Sequence, residues 1–287
     1  MPRLTEEQRA ERMNYIGASD IAAIAGLNPY RDAFDVLNEK LGFAEERPDE
    51  EDRADVGHEL EPVIRKLYMR DQNVSLIPCG TVRHPTETWA GCTLDSKIQG
   101  MRRGLECKAV GHRVVYDWDP HEPDGVPHYV RCQAAWQMWV VDLDEVDVAA
   151  LLGGPHFKIF RCARDLELES HLRLMGHTFH VENLIERKSP PFTAGDGVRA
   201  YLNGKYPPPP EPVQVPADET ITAALMAREA ASRVREESDS VVRKSTADAI
   251  AWLGERKATD VIGDGWEFRC RVRKDGKRAP WFKRKDG

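Results

Sequence analysis

Three residues whose types and spacing could do chemistry stand close together in the chain. Asp95 ends the stretch Thr93-Leu94-Asp95, and Glu106 and Lys108 lie in Gly104-Leu105-Glu106-Cys107-Lys108. Strand side chains alternate, so Glu106 and Lys108 project from one face and Leu105 and Cys107 from the other. The turn-rich Gly100-Met101-Arg102-Arg103-Gly104 between the two stretches would fold them into a hairpin that brings Asp95 in. Two close carboxylates repel one another, and a hard divalent cation such as Mg²⁺ between their oxygens relieves the repulsion. A lysine beside them would not ligate the metal. It would position or deprotonate an attacking water and offset charge building on a phosphoryl group. Carboxylate, carboxylate and lysine suit phosphodiester hydrolysis, although an isolated Glu-x-Lys is an ordinary exposed strand face and only its context lifts it.

The elements that must position these residues are legible in outline. Residues 5–14 read as a helix, and Ser19 is placed to N-cap a short helix over Asp20–Ala25 that stops at Gly26 and the Asn28-Pro29 turn. A helix over 32–41 ends at Gly42, and the acidic run Glu45–Asp52 reads as a solvated loop. From about Val56 to Asp71, Leu60, Ile64 and Leu67 with Val63 and Tyr68 form an apolar stripe that leaves Glu61 at its edge. Short strands are expected at 74–77, 80–84, 89–95 and 104–108, then a helix from Pro127 to Val141, strands at 145–152 and 156–162, and a long helix over 164–187.

This order predicts an α/β (α+β) core, a central mixed sheet flanked by helices, over residues 1–190. The Pro-rich stretch 191–216, with Pro207–Pro210, reads as a linker, and 217–287 as a C-terminal extension, helical over 217–257 and closed by a basic hairpin from Gly265 to Gly287. In the last piece Arg269, Arg271, Arg273, Lys274, Lys277, Arg278, Lys283, Arg284 and Lys285 are interleaved with Trp266, Phe268, Trp281 and Phe282. Such a pattern suits contact with a phosphate backbone and unstacked bases, and equally a strand whose polar face is basic. The helical stretch could instead mediate assembly.

Composition sets bounds. A net charge of −7 over 287 residues excludes a protein that coats nucleic acid with its whole surface, so DNA contact must be local. The six cysteines show no Cys-x-x-Cys spacing, which disfavours a zinc knuckle or a cysteine-held iron–sulfur cluster. His58, His112, His121 and His128 flank the catalytic stretch at spacings that form no ligand set. Neither an apolar signal core nor an apolar run of membrane-spanning length is present, which leads to the expectation of a cytoplasmic protein.

Five ordered segments then carry a resemblance. They are Arg12 with Ile16-Gly17-Ala18-Ser19-Asp20-Ile21, Gly57-His58-Glu59-Leu60-Glu61, Ala90-Gly91-Cys92-Thr93-Leu94-Asp95, Gly104-Leu105-Glu106-Cys107-Lys108, and Pro127–Trp139 around Gln133. In this order the chain resembles the lambda-exonuclease (YqaJ-type viral recombinase) branch of the PD-(D/E)xK nuclease superfamily, over about residues 12–162. The resemblance implies a restriction-endonuclease-like core. It implies that Asp95, Glu106 and the backbone carbonyl of Cys107 ligate a first Mg²⁺, that Glu61 helps to hold a second, and that Mn²⁺ can substitute. Lys108 would act on the nucleophilic water, Gln133 would orient that lysine or the water, and Arg12 and Ser19 would receive the terminal 5′-phosphate of DNA. A hydroxyl at a helix start beside an arginine suits that last role on physical grounds as well.

Three positions depart from the family pattern. Leu94 replaces the proline, Ala135 stands where many relatives carry a second glutamine, and the thiol of Cys107, between the two catalytic residues, should point away from the metals. By the resemblance, the chain is expected to degrade one strand of linear duplex DNA from a 5′ end, leaving a 3′ single strand for recombination. A single-strand annealing partner, a ring-shaped homo-trimer and a phage or prophage origin are implied in the same way. An endonuclease or single-strand nuclease on the same core, or a non-catalytic DNA-binding or assembly protein, are the alternatives.

Overall fold

The structure is a computed structural model that describes residues 11–44, 48–119, 121–122, 124–193, 195, 197–207, 209–212, 214–264, 266–272 and 278–284, without the side chains of 48–54, 272 and 278. Most of the helix expected over 5–14 therefore lies outside the described residues. The chain divides into two compact units, Met1–Pro208 and Pro209–Gly287.

The first unit is built on a five-stranded mixed sheet. Its strands are β1 (Leu76–Arg83), β2 (Gly91–Ile98), β3 (Arg103–Val110), β4 (Glu145–Leu152) and β5 (His156–Ala163), in spatial order β1-β2-β3-β4-β5. Only β3 and β4 run parallel. A parallel pair needs a crossover, supplied here by the helix His128–Val141, so this mixed α/β architecture agrees with the fold class read from the sequence. The segments expected at 74–77 and 80–84 are one strand. Pro78 pairs with Ser96 and Gly80 with Leu94, so one register runs through both segments, and Gly80 takes φ +71°, which glycine adopts without strain.

Helices cover both faces. On one lie α1 (Ala18–Ile24), α2 (Ala33–Leu41), α4 (His128–Val141) and α5 (Leu166–Thr178), packed with Leu94, Val146, Val148 and Phe160 into the larger core. On the other lies α3 (Pro48–Gln72), whose Ile64 and Tyr68 pack with Ile98, Leu105, Cys107 and Ala149. The alternation of β3 explains this division, since Leu105 and Cys107 face α3 and Glu106 faces α4.

Four sequence expectations change. The N-cap of α1 is Gly17, because the Asp20 carboxylate accepts the Gly17 N–H at 3.0 Å and so caps the turn in place of Ser19. The acidic run is helical from Pro48, where a fixed φ suits a first helical position. The long helix over 164–187 is α5 followed by a π-helical stretch, Phe179–Ile185. Within 191–216, expected as a linker, α6 (Gly197–Lys205) docks on α2: Asn38 Nδ2 donates to the Gly197 carbonyl at 2.7 Å and the Phe34 and Tyr201 rings meet at 5.3 Å.

The second unit holds α7 (Glu219–Glu255), N-capped by Asp218 through the Ile221 N–H at 2.9 Å, and an antiparallel sheet of β6 (Asp260–Gly263), β7 (Trp266–Val272) and β8 (Arg278–Arg284). Leu253, Phe268 and Cys270 form its small core. Arg271 is paired with Asp260 at 2.7 Å and Arg269 with Glu267, while Trp281 and Phe282 are exposed. Arg273, Lys274, Lys277 and Lys285 fall outside the described residues.

Candidate active site

The site lies where two strands part. The β2–β3 ladder pairs Lys97 with Gly104 and Ser96 with Leu105, and it ends before Asp95 would meet Glu106. The unpaired N–H of Cys107 goes instead to the Asp95 side chain, with Oδ2 accepting at 2.7 Å. The notch between the strands thus receives side chains from both faces of the sheet.

From the α4 face come Glu106, Lys108, Gln133 and Gln137. Lys108 Nζ donates to Glu106 Oε1 and to Gln133 Oε1, both at 2.8 Å, and Gln133 Nε2 donates to Glu106 Oε1 at 2.6 Å. Gln137, one helical turn beyond Gln133, donates from Nε2 to Glu106 Oε2 at 2.7 Å and to the Thr93 carbonyl at 3.1 Å. Both oxygens of a buried carboxylate are therefore oriented by amides from one helix. The sequence reading missed Gln137. Its signal was the i, i+4 spacing from Gln133, which places both on one face of α4; Ala135, where a second glutamine was expected, is buried in the core instead.

From the α3 face come Glu61 and Arg65. Glu61 Oε1 is 2.9 Å from His58 Nδ1, and Glu61 Oε2 accepts from Arg65 Nη2 at 2.9 Å. The same Nη2 lies 3.7 Å from Asp95 Oδ1. Pro62 interrupts the backbone hydrogen bonding of α3 beside Glu61. Tyr68, two turns from Glu61, fixes the helix by donating its hydroxyl to buried Asp147 on β4 at 2.6 Å.

The electrostatics follow from this crowding. Burial raises the Asp95 carboxyl, and the charges of Glu106 and Glu61 raise it further, to about 7, against the lowering effect of the Cys107 N–H and Lys108. For Lys108, burial favours the neutral amine, but the charge of Glu106 and the hydrogen bond to it prevail, and the net shift is upward. Its ammonium form is thus held across neutral pH. Burial pushes the Cys107 thiol well above its ordinary value, helped by the charges of Asp95 and Glu106, and its side chain packs with Ile64 and Leu105.

The donor set fits a hard divalent cation. Asp95 and Glu106 both reach the notch, and the charges of Glu106 and Glu61 oppose the ionisation of Asp95, a burden that a cation removes. Among the described residues no three His, Cys, Asp or Glu side chains already form a ligand cluster. The cations facing these carboxylates are Arg65 and Lys108.

Arg12 and Ser19 are brought together, with Nη2 3.4 Å from Oγ. Beneath them lies a buried ion cluster. Asp20 is paired with Lys40 at 2.9 Å and Arg31 at 3.3 Å, and Lys40 also donates to the Arg12 carbonyl at 2.7 Å. Burial alone would raise Asp20, but Lys40 and Arg31 outweigh it and hold the carboxyl at about 2.

Comparisons with known proteins find a family domain in the first unit. Residues 7–144 match the YqaJ-like viral recombinase domain. The resemblance read in the sequence is borne out by that match. The chain is 24% identical over 204 residues to the protein YqaJ of Bacillus subtilis (strain 168), covering 70% of this chain and 63% of that relative, less than two thirds of its length. Among solved structures it is similar to an alkaline exonuclease, LHK-Exo, from Laribacter hongkongensis, with TM-score 0.51 and 21% identity, over 63% of this chain and 94% of the other. The structure of LHK-Exo in complex with dAMP gives TM-score 0.52 and 20% identity, over 70% and 97% of the two chains. At such identities the likeness is one of fold. No helix among the described residues is long and apolar enough to cross a membrane.

Proposed function

We propose that this YqaJ-like domain is a divalent-metal-dependent DNA exonuclease that hydrolyses one strand of linear duplex DNA from a 5′ end and leaves a 3′ single strand for recombination. The observation that carries the proposal is the convergence of Asp95, Glu106, Lys108, Gln133 and Gln137 at the parting of β2 and β3. The likeness in fold to an alkaline exonuclease, one structure of which holds the mononucleotide dAMP, supports release of mononucleotides.

Asp95, Glu106 and the carbonyl of Cys107 would hold Mg²⁺, with Glu61 close by. When bound, the metal supplies a Lewis acid for the phosphoryl oxygen and a more acidic water. The chain's own residues do the rest. Lys108, held as an ammonium between Glu106 and Gln133, positions the attacking water and balances negative charge as it grows on the phosphoryl group. Gln133 and Gln137 hold the Glu106 carboxylate, so that its orientation is set before substrate arrives. Arg12 and Ser19 receive the 5′-phosphate, and the Lys40 bond to the Arg12 carbonyl fixes the backbone from which that guanidinium reaches.

The nuclease reading places this chemistry in residues 1–190, with the second unit as an extension whose exposed Trp281, Phe282, Lys283 and Arg284 suit DNA contact. The test is nucleotide release from linear duplexes that carry a 5′-phosphate or a 5′-hydroxyl, with and without Mg²⁺. Release that needs Mg²⁺ and is faster on the 5′-phosphate is expected, with the preference lost in Arg12→Ala. Equal release without Mg²⁺ would overturn the assignment.

A further inference from the structure

Arg65 has no place in the chemistry above, yet it lies among its carboxylates. The side chain is 19% exposed, its Nη2 is 2.9 Å from Glu61 Oε2 and 3.7 Å from Asp95 Oδ1, and its buried Nε has no hydrogen-bond partner among the described residues. An i, i+4 pair on an open helix surface contributes little and needs no burial. A guanidinium taken out of water, with one nitrogen unsatisfied, carries a desolvation cost that only strong compensation offsets. The compensation comes from two carboxylates on different elements, Glu61 of α3 and Asp95 of β2.

The frame around this contact is rigid. Tyr68 locks α3 to Asp147, which also pairs with Arg161 at 3.0 Å and Arg103 at 3.6 Å. Because Glu61, Arg65 and Tyr68 lie on one side of α3, the lock sets the height and rotation at which both Glu61 and Arg65 meet the notch. Glu106 is partnered differently, by Lys108 and the two glutamines. The cluster therefore has two halves: the Glu106 half, backed by donors from α4, and the Glu61 half, already neutralised by a positive side chain of the protein.

We infer that Arg65 is a built-in cation that holds the place of a second metal ion between Glu61 and Asp95, so that a second ion enters only by displacing it. The inference rests on the metal-dependent nuclease reading and refines its two-ion form. The first ion, at Asp95 and Glu106, binds without moving Arg65. The second must break the Arg65–Glu61 pair, and its affinity is lowered by the stability of that pair. Replacement of Arg65 by a neutral residue removes the positive charge that Glu61 and Asp95 share, which a second ion would then supply.

The experiment is a Mn²⁺ titration of the full chain without DNA, followed by calorimetry and by the electron paramagnetic resonance signal of free Mn²⁺. The unaltered protein is expected to bind one ion tightly and a second at least tenfold more weakly. Arg65→Ala is expected to bind two, with the second tightened tenfold or more, and Arg65→Lys, which keeps the charge, to stay closer to the unaltered protein. Two ions bound equally tightly by the unaltered protein would overturn the inference, whether or not any variant folds. So would a folded Arg65→Gln with an unchanged second site. Asp95→Asn separates the two levels: if it binds Mn²⁺ as the unaltered protein does, the metal-centre reading fails and this inference with it.

Discussion

Gln137 Nε2 lies 2.7 Å from Glu106 Oε2, and this buried pair joins the helix α4 to the strand β3. Hydrogen bonds to a buried charged group contribute about 1.5–3 kcal/mol, and loss of one donor leaves the acceptor unsatisfied. Gln137→Leu is therefore expected to lower stability by about that amount. On the proposed function, the turnover number should fall more than the apparent affinity for DNA, because Glu106 loses its orientation while Arg12 and Ser19 are untouched. Denaturant unfolding and steady-state kinetics check the two effects separately.

Lys108 makes a different demand. Its pKa is raised, since the attraction and hydrogen bond of Glu106 outweigh the effect of burial, so the residue stays an ammonium through neutral pH. Lys108→Ala is expected to reduce kcat by about 10²–10³, the range found when one transition-state donor is removed. Lys108→Arg should not restore it, since a planar fork cannot take the place of a compact ammonium held between Glu106 and Gln133 at 2.8 Å each. A pH–rate profile of the unaltered protein should show no loss between about pH 7 and 9 from this residue, since its pKa lies above the ordinary lysine value of 10.5.

The buried Asp95 gives the metal-free protein a definite pH dependence. Its carboxyl is raised to about 7 by burial and by Glu106 and Glu61, above its unfolded value. The native state thus binds more protons than the unfolded chain between about pH 4 and 7, and this contribution to stability declines as pH rises through that window. Thermal unfolding without metal should show such a decline, Asp95→Asn should flatten it, and Mg²⁺ should restore stability more at pH 8 than at pH 5. A decline that survives in Asp95→Asn would place its origin elsewhere.

Asp20 has the opposite sign. Burial would raise it, but Lys40 and Arg31 hold its carboxyl at about 2, so its contribution to stability is present above about pH 4 and is lost as pH falls toward 2. Lys40→Met leaves a buried carboxylate short of its 2.9 Å partner and should cost about 3–5 kcal/mol, the usual effect of breaking a buried pair. The double variant Asp20→Asn/Lys40→Met should recover part of that loss in a denaturant titration.

Much of this was legible in the sequence because it rests on local rules. The alternation Leu105-Glu106-Cys107-Lys108 gave the two faces of β3, and the apolar stripe of Ile64 and Tyr68 gave the inward face of α3 and put Glu61 at its edge. Gln137 and Arg65 were not legible in the same way. A glutamine or arginine on a helix is surface by default, and only the end of the β2–β3 ladder, a tertiary fact, makes the notch into which both point. The cap of α1 was misassigned for a related reason. Ser19 is the stronger intrinsic cap, but Asp20, held ionised by Lys40 from α2, reaches back to Gly17. Helix α6 was hidden by its Pro-rich surroundings, and its place is set by Asn38 and Phe34, more than 150 residues earlier in the chain.

The central claim is that Asp95, Glu106 and Lys108 cut DNA from its ends. Its most direct test is Mg²⁺-dependent digestion of a 5′-labelled linear duplex beside the same sequence as a closed circle. The account predicts early release of the 5′ label as a mononucleotide from the linear form, a 3′ single strand as the remaining product, an intact circle, and no release by Asp95→Asn. Cutting of the closed circle, or undiminished release by Asp95→Asn, would contradict it.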